Sequence, residues 1–212
     1  MSSGPSPFEV VASERPFKGH VVTLRVDRIR DSGGREGSRE VVEHPGAVAA
    51  LVTDTDGRLL LVEQWRQAMG RRMLEIPAGK YDVDGEPVET ALRRELAEEL
   101  GVEGGRLRWL ASFATTPGWS DEVCDLFLVE GVTQIAGQRP EGDWEEQDLT
   151  VVEVDLDEAL RRCTGDHLGD AKTLVALGLY GHLLAGRWAP DERHRPGPDA
   201  PAGRAARRPV CD

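Results

Sequence analysis

Three glutamates, Glu95, Glu98 and Glu99, stand at i, i+3 and i+4. On a helix that spacing brings their carboxylates to one face within a single turn. Like charges so placed destabilise a bare helix. A divalent cation is the simple remedy, because Mg²⁺ takes oxygen ligands and favours carboxylates together with substrate phosphates. For three glutamates alone, a solvated acidic face is the commoner explanation. What distinguishes these three is the stretch that contains them, GKYDVDGEPVETALRRELAEELGV over residues 79–102.

The elements that must position this stretch are legible from patterning. Val88, Leu92, Leu96 and Leu100 recur every four residues and predict a helix from Pro87 to Leu100. Pro87 suits the first helical position with Glu86 as N-cap, and Gly101 sits where a left-handed C′ residue is wanted. A second helix is expected from Ala171 to Trp188, with Leu174, Leu177, Gly178, Gly181 and Leu184 on its inner side. A short helix, Leu156 to Cys163, precedes it. The alternating run from Gly19 to Arg30 reads as a half-buried strand. A turn over residues 32–37 and a return strand from Ser38 to Glu43 make it a hairpin. Further strands are expected at Gly46 to Thr53, Arg58 to Trp65, Met73 to Pro77, 107–114, 123–130 and 149–154. Strands with two main helices, without regular βαβ alternation, indicate an α+β fold or a mixed-sheet sandwich.

Composition bounds the function. The chain has 212 residues, with 26 Lys and Arg against 38 Asp and Glu, a net charge of −12. That acidity argues against binding to nucleic-acid backbones or anionic membranes. It leaves nucleotide substrates open, because a bound cation reverses the local field. No apolar run reaches the length of about 18 residues that a membrane span needs, and the N-terminus lacks the pattern of a signal peptide. Cys124, Cys163 and Cys211 have no paired spacing, which fits a reducing, cytoplasmic setting. Residues 189–212 hold five of the 13 prolines and almost no large apolar side chains, so a disordered tail is expected there. Residues 1–16 are read as a flexible N-terminus, and 17–188 as one domain.

The 79–102 stretch resembles the Nudix box, G-x5-E-x7-R-E-U-x-E-E-x-G-U with U a bulky aliphatic. Gly79, Glu86, Arg94, Glu95, Leu96, Glu98, Glu99, Gly101 and Val102 occupy its defined positions. Six residues rather than five separate Gly79 from Glu86; the extra one falls in a turn and leaves the helix register intact. The resemblance implies an α/β/α sandwich around a mixed β-sheet, here with an N-terminal β-hairpin over 19–43. It implies a hydrolase that cleaves a nucleoside diphosphate linked to another group. Glu95 and Glu99 would be the principal metal ligands, with Glu98 supporting and the Ala78 carbonyl completing the shell around Mg²⁺, or Mn²⁺ in its place. Arg94 with Glu86 would be a structural ion pair, and Gly79 and Gly101 would be structural.

Outside the box, the chain is similar to the ADP-ribose pyrophosphatase branch. Pro117 lies 16 residues beyond Gly101 in the loop TPGWSDE, where Thr116 replaces the usual serine. In that branch Pro117, Gly118 and Glu122 would contact substrate, and Arg66 would reach the diphosphate. Glu75 is open between a nucleoside contact and an ion pair at a strand edge. The acidic loop DWEEQD, residues 143–148, would carry the catalytic base as Glu145 or Glu146. The branch implies hydrolysis of ADP-ribose to AMP and ribose 5-phosphate, and a homodimer joined through the N-terminal strands. The alternatives are another nucleotide sugar such as GDP-mannose, a nucleoside triphosphate, or a non-catalytic ligand sensor on the same fold.

Overall fold

A computed structural model describes residues 6–83, 85–136, 148–165, 167–191 and 193. The expected tail falls almost wholly outside the described residues. The chain divides into two compact units. One runs to Pro45 and includes Ala114–Glu122; the other comprises Gly46–Phe113 and the chain from Val123 onward.

The first unit is a three-stranded antiparallel sheet, β1 (Phe8–Lys18), β2 (Thr23–Asp31) and β3 (Glu36–Glu43), in that spatial order. The expected hairpin is β2–β3. Strand β1 corrects the reading of residues 1–16 as a flexible N-terminus. Its pairing with β2 is interrupted by register shifts between Val10 and Ala12 and between Glu14 and Phe17. Such bulges break the period-2 pattern by which a strand is recognised. Pro16 fits this edge strand, where a missing N–H costs least.

The second unit is built on a mixed sheet of seven strands, with the order β10 (Thr150–Val154), β5 (Leu59–Arg66), β4 (Ala47–Asp54), β9 (Val123–Gln134), β8 (Val102–Ala114). Strand β6 (Arg71–Glu75) pairs with β5, and β7 (Ala78–Lys80) with β4. Strands β4 and β9 run parallel. Both faces of this sheet are buried, and the side chains divide strictly by parity. Ala47, Ala49 and Leu51 join Leu59, Leu61, Leu126 and Leu128 beneath the helices α2 (Leu156–Cys163) and α3 (Ala171–Leu184). Val48, Ala50 and Val52 join Leu60, Val62, Phe127 and Val129 beneath α1 (Val88–Leu100). A strand buried on both faces reads as a continuous apolar run, as AVAALV does. The result is the expected α/β/α sandwich. Among the described residues, no helix is long and apolar enough to cross a membrane.

Two helix details differ from expectation. Pro87 is the N-cap of α1, with an extended ψ of 143°, and not its first helical residue. Glu86 does not cap, because its carboxylate is held by Arg94. In α3 the buried residues are Thr173, Ala176, Leu177 and Tyr180, while Leu174 and Leu184 are exposed and the helix ends at Leu184. The face is turned because polar Thr173 points inward: its hydroxyl accepts from the Ile76 N–H and donates to Asp170.

Asp170 caps α3 by accepting the Thr173 N–H at 2.9 Å, and it pairs with Lys172 at 2.7 Å. Burial opposes its charge, but Lys172 and the Thr173 donors outweigh burial and hold its carboxyl below the usual carboxylate range. A depressed folded pKa stabilises the protein above the unfolded value of about 3.9, and that stability is lost as the pH falls through the folded value. Asp170→Asn is therefore expected to melt below wild type at neutral pH and to show a shallower fall in Tm on acidification below about pH 4. Equal acid slopes in the two proteins would take Asp170 out of this linkage.

Candidate active site

Strand β7 lies antiparallel to β4, with Val48 opposite Gly79 and Ala49 opposite Ala78. Helix α1 packs directly over it. A Cβ built on Gly79 would stand 1.9 Å from the carboxyl carbon of Glu95, so only glycine allows the helix this close. The Ala78 N–H donates to Glu99 Oε2 at 3.1 Å. Glu95 and Glu99 lie beside the apolar stripe of α1 and are buried, at 7% and 6% exposure, whereas the Glu98 side chain is 36% exposed. At the far end Gly101 takes the left-handed conformation, φ 64°, and donates to the Ala97 carbonyl. The extra residue of the box lies between β7 and α1, where it disturbs neither element.

Arg94 gathers these acids. Its Nε and Nη2 donate to the two Glu86 oxygens at 3.3 and 3.2 Å. Its Nη1 donates to Glu95 at 2.8 Å and Glu98 at 3.1 Å, and Nη2 also reaches Asp82 at 3.2 Å. The expected Arg94–Glu86 pair is thus part of a larger cluster. Burial pushes the Glu95 carboxyl up to about 7, an effect that Arg94 opposes and the Glu98 charge reinforces.

Among the described residues, no three acidic, histidine or cysteine side chains converge as a ready metal cage; Glu95 and Glu98 converge on Arg94 instead. The donor set nonetheless fits a hard divalent cation. It consists of oxygen atoms alone, it holds more carboxylates than the one arginine can neutralise, and Gly79 keeps the strand beside Glu95 free of side-chain bulk.

Arg66, at the end of β5, forks onto Glu75 of β6 with hydrogen bonds of 2.7 and 2.8 Å. Of the two roles open for Glu75, the structure shows the ion pair, with the acid buried at 2% exposure and Arg66 half-exposed. The hydrogen bonds and charge of Glu75, and more weakly the charges of Asp170 and Glu99, outweigh burial and hold the Arg66 guanidinium charged. Pro117, Gly118 and Glu122 belong to the first unit. There Pro117 and Gly118 are exposed in a turn closed by N–H groups of Trp119 and Ser120 donating to the Thr116 carbonyl. Glu122 accepts from the Thr115 hydroxyl and lies 3.6 Å from His44 Nδ1. Glu145 and Glu146 lie outside the described residues. Sequence reasoning missed Asp82 as a partner of Arg94. It also missed Asp170 and Lys172, although an aspartate immediately before the helix starting at Ala171 is a readable cap.

Comparison with known proteins follows the same line. The family model described as the NUDIX domain matches residues 43–176. An ADP-ribose pyrophosphatase of Mycobacterium tuberculosis (strain ATCC 25618 / H37Rv) is 36% identical over 201 residues, 95% of this chain and 96% of that protein. A methanol dehydrogenase activator of Bacillus methanolicus is 37% identical over 169 residues, 80% of this chain and 90% of that one. A crystal structure of an ADP compounds hydrolase superposes with a TM-score of 0.70 at 21% identity, covering 88% of this chain and all of that one, a likeness of fold.

The contact at Gly79 generates a contrast between two glycines. Gly79→Ala must displace Glu95 or the strand and is expected to cost about 1–3 kcal/mol, the usual penalty of overpacking. Gly178→Ala, at an exposed position of α3 with open space for the methyl, is expected to stabilise by about 0.5–1 kcal/mol. Denaturant titration of both variants checks the opposite signs.

Proposed function

The chain belongs to the Nudix family, and from that premise we propose that it hydrolyses the pyrophosphate bond of ADP-ribose or a related ADP-sugar, releasing AMP and a sugar phosphate. The observation that carries this reading is the seating of Glu95 and Glu99 beside Ala78 and Gly79. The ADP-ribose specificity is supported by the M. tuberculosis relative, which matches nearly the whole chain.

In this reading Glu95 and Glu99, supported by Glu98 and the Ala78 carbonyl, would hold Mg²⁺, or Mn²⁺ in its place. When bound, such a cation would supply positive charge to the pyrophosphate oxygens and would lower the pKa of a water molecule. Arg66 binds the diphosphate, oriented by Glu75, and Arg94 keeps the loop bearing Glu86 fixed to α1. The water oxygen forms a bond to one phosphorus as the bridging P–O bond breaks. The bridging oxygen leaves with the other phosphate, and the water proton passes to a carboxylate base. Glu145 is the preferred base, with Glu146 next. Pro117, Gly118 and Glu122 bind substrate. The enzyme acts in the cytoplasm as a homodimer joined through the N-terminal strands. Phe8, Val10 and Phe17, all exposed on β1, support that assembly.

Release of AMP from a panel of nucleotide sugars with Mg²⁺ or Mn²⁺ tests the substrate, and turnover of ADP-ribose is the expected best. Glu99→Gln keeps the shape and an acceptor for the Ala78 N–H but removes one charge. It is expected to lower kcat by roughly 10²–10³-fold in a folded protein, and near-normal turnover at saturating Mg²⁺ would remove Glu99 from the ligand set. For the base, Glu145→Gln is expected to drop kcat by about 10²–10⁴-fold with KM little changed, whereas Glu122→Gln mainly raises KM. The assignment inverts if Glu122→Gln abolishes turnover at saturating substrate while Glu145→Gln and Glu146→Gln stay active.

A further inference from the structure

Behind Arg66 lies a set of charges that the scheme above leaves unused. Arg66 commits Nε and Nη2 to Glu75. Its third nitrogen, Nη1, donates to no acceptor among the described residues, and the side chain is 40% exposed. Lys172 shares Glu75 Oε2 with Arg66 Nη2: its Nζ stands 3.7 Å from that oxygen and 2.7 Å from Asp170 Oδ1. The anchor is rigid: Asp170 accepts both the N–H and the hydroxyl of Thr173, and that hydroxyl accepts the Ile76 N–H next to Glu75. Burial acts against the charge on Lys172, but Asp170 and Glu75 keep it protonated. Two cations and two anions therefore balance within one cluster around the buried Glu75.

A second cation on the same carboxylate oxygen pins Glu75 between two partners, which fixes how it accepts the Arg66 fork, Nε to Oε1 and Nη2 to Oε2, and leaves Nη1 uncommitted. We propose that Lys172 is a positioning residue for substrate binding: through Glu75 it fixes the orientation in which Arg66 presents Nη1 to the diphosphate. The proposal rests on Arg66 being the diphosphate contact, and its test separates the two claims.

The test is a double-mutant cycle on the full chain, with KM and kcat for ADP-ribose measured at saturating Mg²⁺ in wild type, Lys172→Met, Arg66→Met and the double variant. Near-ultraviolet circular dichroism verifies each fold, and Lys172→Gln, which can still donate to Asp170, replaces Lys172→Met if the latter does not fold. The expected result is a KM raised about tenfold by the Lys172 change with kcat little altered, and no further rise when Arg66 is already Met. A lysine with a purely structural role would lower Tm without this dependence. An unchanged KM, or an equal rise in both Arg66 backgrounds, overturns the positioning role while leaving Arg66 in place. If Arg66→Met itself leaves KM unchanged, the diphosphate contact is wrong and the proposal falls with it.

Discussion

The close seat of α1 on β7 is the constraint on which the site depends. A helix ordinarily stands off a sheet by the length of the side chains between them. Here the strand offers no side chain at Gly79, and the helix answers with a carboxylate, not a methyl group. Two acids are thereby carried into a place that apolar packing would otherwise fill. Their neighbours on the helix, Leu92 and Leu96, are core residues, so the hydrophobic contact that anchors α1 also sets the depth of Glu95 and Glu99.

Charge is managed in the same way on both sides of this seat. Buried carboxylates are tolerable only when paired and hydrogen-bonded. Around α1, Arg94 is shared among Glu86, Glu95, Glu98 and Asp82. Around β6, Glu75 is shared between Arg66 and Lys172. In each cluster one group serves several partners of opposite sign, so a single ionic contact can be exchanged without stranding a bare charge.

What was legible in the sequence followed from periodicity and spacing. The run AVAALV, the four-residue recurrence of α1 and the 95/98/99 spacing each depend on neighbours in the chain, and each element formed where expected. What was not legible depends on partners far away. Strand β1 hides its alternation behind two bulges whose form is set by pairing with β2. The inner face of α3 was misjudged because Thr173 outranks Leu174 there, and Thr173 is drawn inward by an N–H 97 residues earlier. The Arg66–Glu75 pair joins neighbouring strands at a nine-residue separation, a register that no single-strand pattern reveals. Lys172 enters the cluster only through the packing of α3.

The parallel pairing of β4 with β9 has a consequence for how the molecule comes into being. Ala47 is matched with Cys124 and Val52 with Val129, so the centre of the sheet closes a loop that contains β7 and all of α1. Contacts of that separation are entropically slow to form. On a chain emerging from the ribosome, the helix with its glutamates is complete well before the strand that must flank its platform has been made. Catalytic competence is in this sense deferred: the local code for the site is written early, but it acquires its surroundings only when a distant segment arrives.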